Sequence, residues 1–315
     1  MWLLLKFTLL YASVLTLVAL GGMFSERSGI INIALEGIMI VGGLMGVVMI
    51  NILNKAGVPT GLGILCSILG AGLAGTIYSS LLAFSAVNLK ADQTIGGTAL
   101  NLLAAALAIV VAKRINGNDS PRISYKEGQN AVLNNLDFSF NIGPLTINWF
   151  VVVMIIAVVV AWFVLYRTRF GMRLMACGEH PQAADSLGIN VYAMRWSGVL
   201  ISGFLGGIGG MAYIVPAVGE WNFEYGIAGM GFLALAVMIF GQWKPVNIAL
   251  AALFFAVFRA MANIFDSISF LNALGWPKEI YNMMPFAASM IVLAFASKKS
   301  RAPKAEGIPY DKGMR

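Results

Sequence analysis

Charged residues are scarce in this chain. Asp, Glu, Lys and Arg make up 11% of its 315 residues, where a soluble domain carries about a quarter. Histidine is scarcer still: His180 is the single one. No nucleophile or ligand cluster surrounds it in the sequence, so nothing reads as a catalytic or metal centre. The two cysteines, Cys66 and Cys177, lie far apart, and neither a disulfide framework nor a metal site follows from them. Nucleotide-binding glycine patterns are missing too, with no G-x-x-x-x-G-K-S/T and no G-x-G-x-x-G in the right context. No polar stretch is long enough for a soluble core of its own. Alternating strand patterning is absent, which argues against an outer-membrane β-barrel.

Apolar sequence fills the chain instead: 59% of residues are apolar and the mean hydropathy is +0.82. Runs of about 20 uncharged residues are the length a helix needs to cross a bilayer. They fall near 2–22, 29–53, 58–86, 94–112, 147–166, 197–217, 226–242, 245–265 and 280–297. The expected fold is an all-α polytopic membrane bundle of about nine helices, forming a single transmembrane domain over 1–315. Lys6 is a meagre basic leader and no A-x-A-type cleavage site follows it, so the first run is expected to be a retained span and not a signal peptide.

The net charge of +7 reports basic loops and not a nucleic-acid partner. The tail 298–315 holds Lys298, Lys299, Arg301, Lys304, Lys312 and Arg315. The insert 167–196 holds Arg167, Arg169, Arg173 and Arg195. Both are expected in the cytoplasm, with the loop 113–146 and the N-terminus outside.

Within the insert, Gly178–Val191 reads GEHPQAADSLGINV. Pro181 suits a first helical position, and Gly188 suits a left-handed end. A two-turn helix of this kind is unstable alone and needs something to pack on. Ala183 and Ala184 would let another surface approach. On physics alone, an ordinary connecting loop with a helical turn is the simpler reading.

The pattern G-E-x-P-x-A-A-x-x-x-G-I, preceded by F-G-x-x-x-x-A-C-G from Phe170, resembles the coupling motif of ABC importer permeases. Ser25–Gly43, Asp92–Ala104 and Gly229–Pro245 are similar to three further signatures of the ribose/branched-chain amino-acid branch, in the expected order. The likeness is greatest to permeases of nucleoside importers served by a basic-membrane-protein-type lipoprotein. The resemblance implies a type II importer-like permease in the cell membrane that does no covalent chemistry and needs no cofactor. It implies three partners: an ABC ATPase, a second, related permease and an external substrate-binding lipoprotein. It assigns ATPase coupling to Gly178, Glu179, Pro181, Ala183, Ala184, Gly188 and Ile189. A simple-sugar cargo, or a stand-alone secondary transporter, are the alternatives.

Polar residues inside the apolar runs are candidates for the substrate pathway, because such groups are costly in lipid and face protein or water. Glu36 follows Asn32 by one helical turn; a headgroup contact and a contact within the bundle both remain open for it. Thr94, Thr98 and Asn101 recur at helical spacing and make a polar stripe, either a wet path or interhelical glue. Arg259 precedes Asn263 by one turn; it can snorkel, line the path or pair with a carboxylate such as Glu36. Trp221, Phe223, Tyr225, Trp276 and Tyr281 read as an interfacial aromatic belt, with contact to a docked binding protein or to substrate also open for the first three. Gly42/Gly46, Gly203/Gly207 and Gly206/Gly210 are small-residue pairs that let helices close in.

Overall fold

A bilayer offers no water to backbone amides, so apolar runs of this length fold as helices. Each of the nine runs contains a helix in the computed structural model, which describes residues 2–117, 119–124, 135–143, 145–216, 220–267, 275, 277–296 and 302–313. Lys298, Lys299, Arg301, Arg315 and Trp276 lie outside the described residues.

The helices are α1 (Trp2–Arg27), α2 (Leu35–Lys55), α3 (Thr60–Ala83, run on by a π-helical turn Phe84–Asn88) and α4 (Gln93–Asn116). After the loop come α5 (Trp149–Arg167), α6 (Arg169–Glu179), α7 (Pro181–Ser186) and α8 (Val191–Ile214). The chain ends with α9 (Met230–Phe240), α10 (Pro245–Asn263) and α11 (Lys278–Ala296). Among the described residues, seven helices are long and apolar enough to cross a membrane: α1, α2, α3 with its π turn, α4, α5, α8 and α10.

Two boundaries differ from the sequence expectation in a way that matters. The run 29–53 becomes helical only at Leu35, leaving 28–34 outside the helix. The run 226–242 is helical over only the 11 residues of α9. At 1.5 Å per residue that helix spans about 16 Å, roughly half of a hydrocarbon core. Before it, Gly226, Ala228 and Gly229 all have positive φ, which stops a helix from starting earlier.

Local signals set the other ends. Asp92 caps α4 by accepting from the amides of Thr94 and Ile95, at 2.8 and 2.9 Å. Asn148 caps α5 and Asn190 caps α8 in the same manner. Pro occupies the first turn of both α7 and α10.

The core lies between α1 and α8. α1 is buried almost continuously from Leu10 to Glu26 and packs on α5, α8, α9 and α10. α8 packs on α1, α2 and α3 through the glycines that the sequence marks. A Cβ on Gly210 would strike the Met39 carbonyl, and one on Gly207 the Ala71 carbonyl.

Two short antiparallel ribbons finish the end of the bundle opposite the insert. β1 (Arg122–Ser124) pairs with β4 (Glu220–Asn222), and β2 (Ser139–Ile142) pairs with β3 (Leu145–Asn148).

Candidate functional site

The two non-helical stretches, 28–34 and 226–229, are each held by side chains from other elements. Backbone at such a depth must find partners in the protein, and side chains from neighbouring elements supply them. Glu36 Oε1 accepts from the Gly229 amide at 2.9 Å, and Oε2 accepts from the Gly231 amide at 2.7 Å. The carboxyl group of α2 therefore closes the N-terminus of α9, where the first amides have no helical partner. Gly231 has to be glycine for this approach, since a Cβ there would lie 2.5 Å from the Glu36 amide nitrogen.

α4 stitches the other break. Gln93 Oε1 accepts from the Ile31 amide at 2.7 Å. Asn101 Oδ1 accepts from the Gly37 amide at 2.7 Å, while its Nδ2 donates to the Ile33 carbonyl at 2.9 Å. Asn32 donates instead to Ser202 Oγ on α8, at 2.7 Å. Because α2 starts at Leu35, Asn32 and Glu36 do not share a helical face, and the sequence pairing of these two is corrected.

Beside the 226–229 break lies a cavity of about 500 Å³. Its wall includes Glu36, Thr98 and Asn101, together with Glu224, Tyr225 and Phe232. Of the six pathway candidates read from the sequence, Glu36, Thr98 and Asn101 line it. Asn32 is buried and off the cavity wall. Arg259 lies elsewhere: Nη2 donates to the Tyr213 hydroxyl at 3.2 Å, Nη1 reaches Asn282 at 3.5 Å, and the guanidinium sits 5.8 Å over the Tyr11 ring. The suggested Glu36–Arg259 pair does not form, and Asn263 is exposed at the far end of α10. Thr94 is exposed and off the cavity wall.

The sequence does not mark Glu224 and Phe232 for the pathway, and Tyr225 reads chiefly as a belt residue. Their signal was the glycine-rich GIAG at 226–229, which breaks the helix and brings both flanks to the cavity. The belt reading fails at two positions, because Phe223 and Tyr281 are fully buried. Trp221 is half-buried and packs edge-on against Tyr213 at 5.6 Å. Tyr281 stacks on Phe265 at 4.7 Å.

The insert forms the second candidate region. Thr168 caps α6, and α7 ends in a Schellman motif. In it the Ile189 amide donates to the Ala184 carbonyl at 3.1 Å, and the Gly188 amide to the Asp185 carbonyl at 2.9 Å. Gly188 has φ +79° with open space around it, the left-handed end its sequence suggests. The alanine pair is split. Ala184 is buried against Cys177, Val191 and Tyr310, whereas Ala183 is exposed. The expectation that Ala184 offers a small outward face is therefore corrected. The outward face of α7 is Gln182, Ala183, Ser186 and Leu187, the last 83% exposed. Pro181 is buried, and Glu179 and Ile189 are half-buried. Gly178 packs on the end of α1, where a Cβ would strike the Arg27 carbonyl. Burial pushes the Cys177 thiol up to about 11, which makes it unreactive.

The C-terminal segment binds this region as a strap. The Ala305 amide donates to the Gly178 carbonyl at 2.8 Å, and the Gly307 amide to the Gly29 carbonyl at 3.2 Å. Buried Arg195 of α8 donates to the Ile308 carbonyl at 3.0 Å and faces the Tyr310 ring. Lys90 pairs with Asp311 at 2.7 Å and Lys312 with Asp185 at 3.9 Å. The strap thus ties the insert to the break before α2. Its basic composition gave no sign of this.

Residues 4–294 match the family described as the permease component of branched-chain amino acid transport systems. The chain is 40% identical to the nucleoside ABC transporter permease protein NupC of Lactococcus lactis, covering 96% of this chain and 95% of that one. It is 37% identical to the guanosine ABC transporter permease protein NupQ of Bacillus subtilis, covering 98% and 96% respectively. A second Lactococcus lactis protein, the nucleoside ABC transporter permease protein NupB, is 26% identical over 53% of this chain and 46% of its own length.

Proposed function

This chain belongs to the permease component family of branched-chain amino acid transport systems, and on that premise we propose that it carries nucleosides inward across the cell membrane. The near full-length likeness to two permeases named for nucleoside and guanosine transport supports that reading. As a multi-pass ABC transporter permease it is a transport subunit. In the proposal ATP is hydrolysed on a separate ATPase chain, and an external lipoprotein delivers the nucleoside. The likeness to NupB as well as NupC favours a second, related permease and hence a heterodimer.

The geometry suggests how the parts work together. The insert and the strap face the cytoplasm, where basic residues belong, and the β1–β4 end faces outward. The ATPase grips the outward face of α7 around Ala183 and Leu187. Displacing the insert moves the end of α1 at Arg27 and, through the strap, the break at Gly29. That break is held by Gln93 and Asn101, and Asn101 lines the cavity. The cavity is completed by the second permease against α4, whose Ile95, Leu102 and Val110 are bare in this chain.

Uptake of labelled guanosine by cells that lack the chain, with and without its restoration, tests the proposal. Restored uptake that unlabelled adenosine suppresses and ribose or glucose does not is the expected result. Suppression by the sugars alone would redirect the reading to a sugar permease. Single cysteines at Asp119 and Lys312 should label from opposite sides of the membrane with an impermeant thiol reagent.

A further inference from the structure

The cavity between α2, α4 and the 223–232 segment contains a helix N-terminus, the feature of protein structure best suited to hold a phosphate. Here it is already occupied. Both oxygens of Glu36 take up amides of the first turn of α9, so none of that capture is left for a ligand. Among the described residues, the cavity wall also contains no Lys, Arg or His. It contains instead a second carboxylate, Glu224, which is exposed. The nearest basic group along α4 is Lys113, one turn beyond the last lining residue, Ile109, toward the outer end. The remaining wall is apolar and aromatic: Tyr225 is 73% exposed and Phe232 47% exposed, with Ile40, Leu102 and Ala105 between the polar groups.

We infer that this cavity is a charge filter, admitting a neutral ligand with a flat ring and turning away the phosphorylated form of the same ligand. Two physical effects combine. A phosphate brings close to two negative charges at neutral pH, finds no cation on this chain's described wall to pair with, and meets the like charge of Glu224. An unphosphorylated nucleoside brings no charge, and its base can stack on an exposed aromatic ring, a contact indifferent to which base is presented. Thr98 Oγ1 donates to its own helix at Thr94 and Ile95 and keeps lone pairs free to accept a sugar hydroxyl. The inference rests on the nucleoside reading above for its ligand, but the filter itself is a property of the wall. Its consequence is directional: a nucleoside that is phosphorylated after entry is no longer a ligand for the path by which it came.

The test places a single cysteine at Thr98 or at Tyr225, both exposed in this chain, in a Cys66→Ala background. The permease is assembled with its ATPase and partner permease in detergent. Modification rates are measured for a cationic and an anionic methanethiosulfonate of similar size, each normalised to its rate with free cysteine. The cationic reagent should react about tenfold faster at both positions, and Glu224→Gln should cut that preference about three- to tenfold. Guanosine should slow modification at both sites, whereas guanosine 5′-monophosphate at the same concentration should not. Equal normalised rates at both cysteines, or equal protection by the monophosphate, would overturn the filter. A clear cationic preference with no protection by guanosine would keep the filter and overturn the nucleoside reading, so the two failures are distinct.

Discussion

α1 and α4 are equally hydropathic, yet 67% of the apolar stretch of α1 is buried inside the chain and only 22% of that of α4. One is the axis of the bundle; the other leaves Leu102 and Leu103 bare on one face and uses Gln93 and Asn101 on another to hold a broken neighbour. In lipid, an apolar surface gains nothing by being buried against another apolar surface, so hydropathy does not choose between these fates. Backbone demand and close packing do.

The comparison breaks most decisively at the glycine seam. Gly210→Leu would drive a side chain into the Met39 backbone, and no side-chain adjustment relieves a clash with a carbonyl. Loss of nearly all folded protein in detergent, read by size-exclusion chromatography, is the expected outcome. Leu102→Trp on the bare face of α4 should leave the isolated chain folded and reduce recovery of the paired permease. If Leu102→Trp harmed the isolated chain as much, α4 would not be bare.

Asn101→Leu comes next. It strands the Gly37 amide and the Ile33 carbonyl together, at about 1–3 kcal/mol for each buried group left unpaired. The melting temperature of the purified permease should fall clearly. Thr98→Val, one turn earlier and exposed, should change stability by less than about 0.5 kcal/mol. Equal effects would mean that the two residues form one uniform stripe, as their spacing alone suggests.

The insert repeats the contrast on a smaller scale. Ala184→Leu overfills the pocket of Cys177, Val191 and Tyr310 and should cost about 1–3 kcal/mol within this chain. Leu187→Arg, at an 83% exposed position, should leave the melting temperature unchanged and weaken co-purification of the ATPase about tenfold or more. A stable Ala184→Leu protein that still lost the ATPase would return the docking face to Ala184.

The smallest effects lie on the strap, where two carboxyls sit in opposite surroundings. Burial pushes Glu306 above the usual carboxylate range, partly offset by a hydrogen bond with Glu26. Its folded form binds the proton more tightly than its unfolded form, so its contribution is present at low pH and is lost as pH rises through the raised value. Glu306→Gln should flatten that loss and raise the melting temperature at neutral pH. Asp311, at the surface, is held below the usual range by its hydrogen bond with Lys90. Its contribution is present at neutral pH and is lost on acidification through the lowered value. Asp311→Asn should remove only that faint acid dependence, and added salt should hide it.

Much of the architecture is legible in the sequence. All nine apolar runs contain helices, the glycine pairs of α8 mark its packed face, and Pro181 and Gly188 bound α7 as their backbone preferences require. Glu36, Thr98 and Asn101 line the cavity because a polar side chain deep in an apolar run has few tolerable destinations. Arg259 and Asn263 met the same criterion and went elsewhere, since composition registers that a polar group needs a partner without naming it.

What the sequence determined by itself is the solvent and the element type. Too few charges for a water-facing globule and runs of bilayer length leave helices in lipid as the remaining solution, because each helix satisfies its own backbone. What only the tertiary structure decided is where helices stop short inside the apolar runs. At 28–34 and 226–229 the backbone is satisfied from far along the chain, by Gln93, Asn101 and Glu36. Hydrogen bonds of that kind leave no local period in the sequence, since the partners are fixed by how whole helices pack, and the cavity is the space left between them.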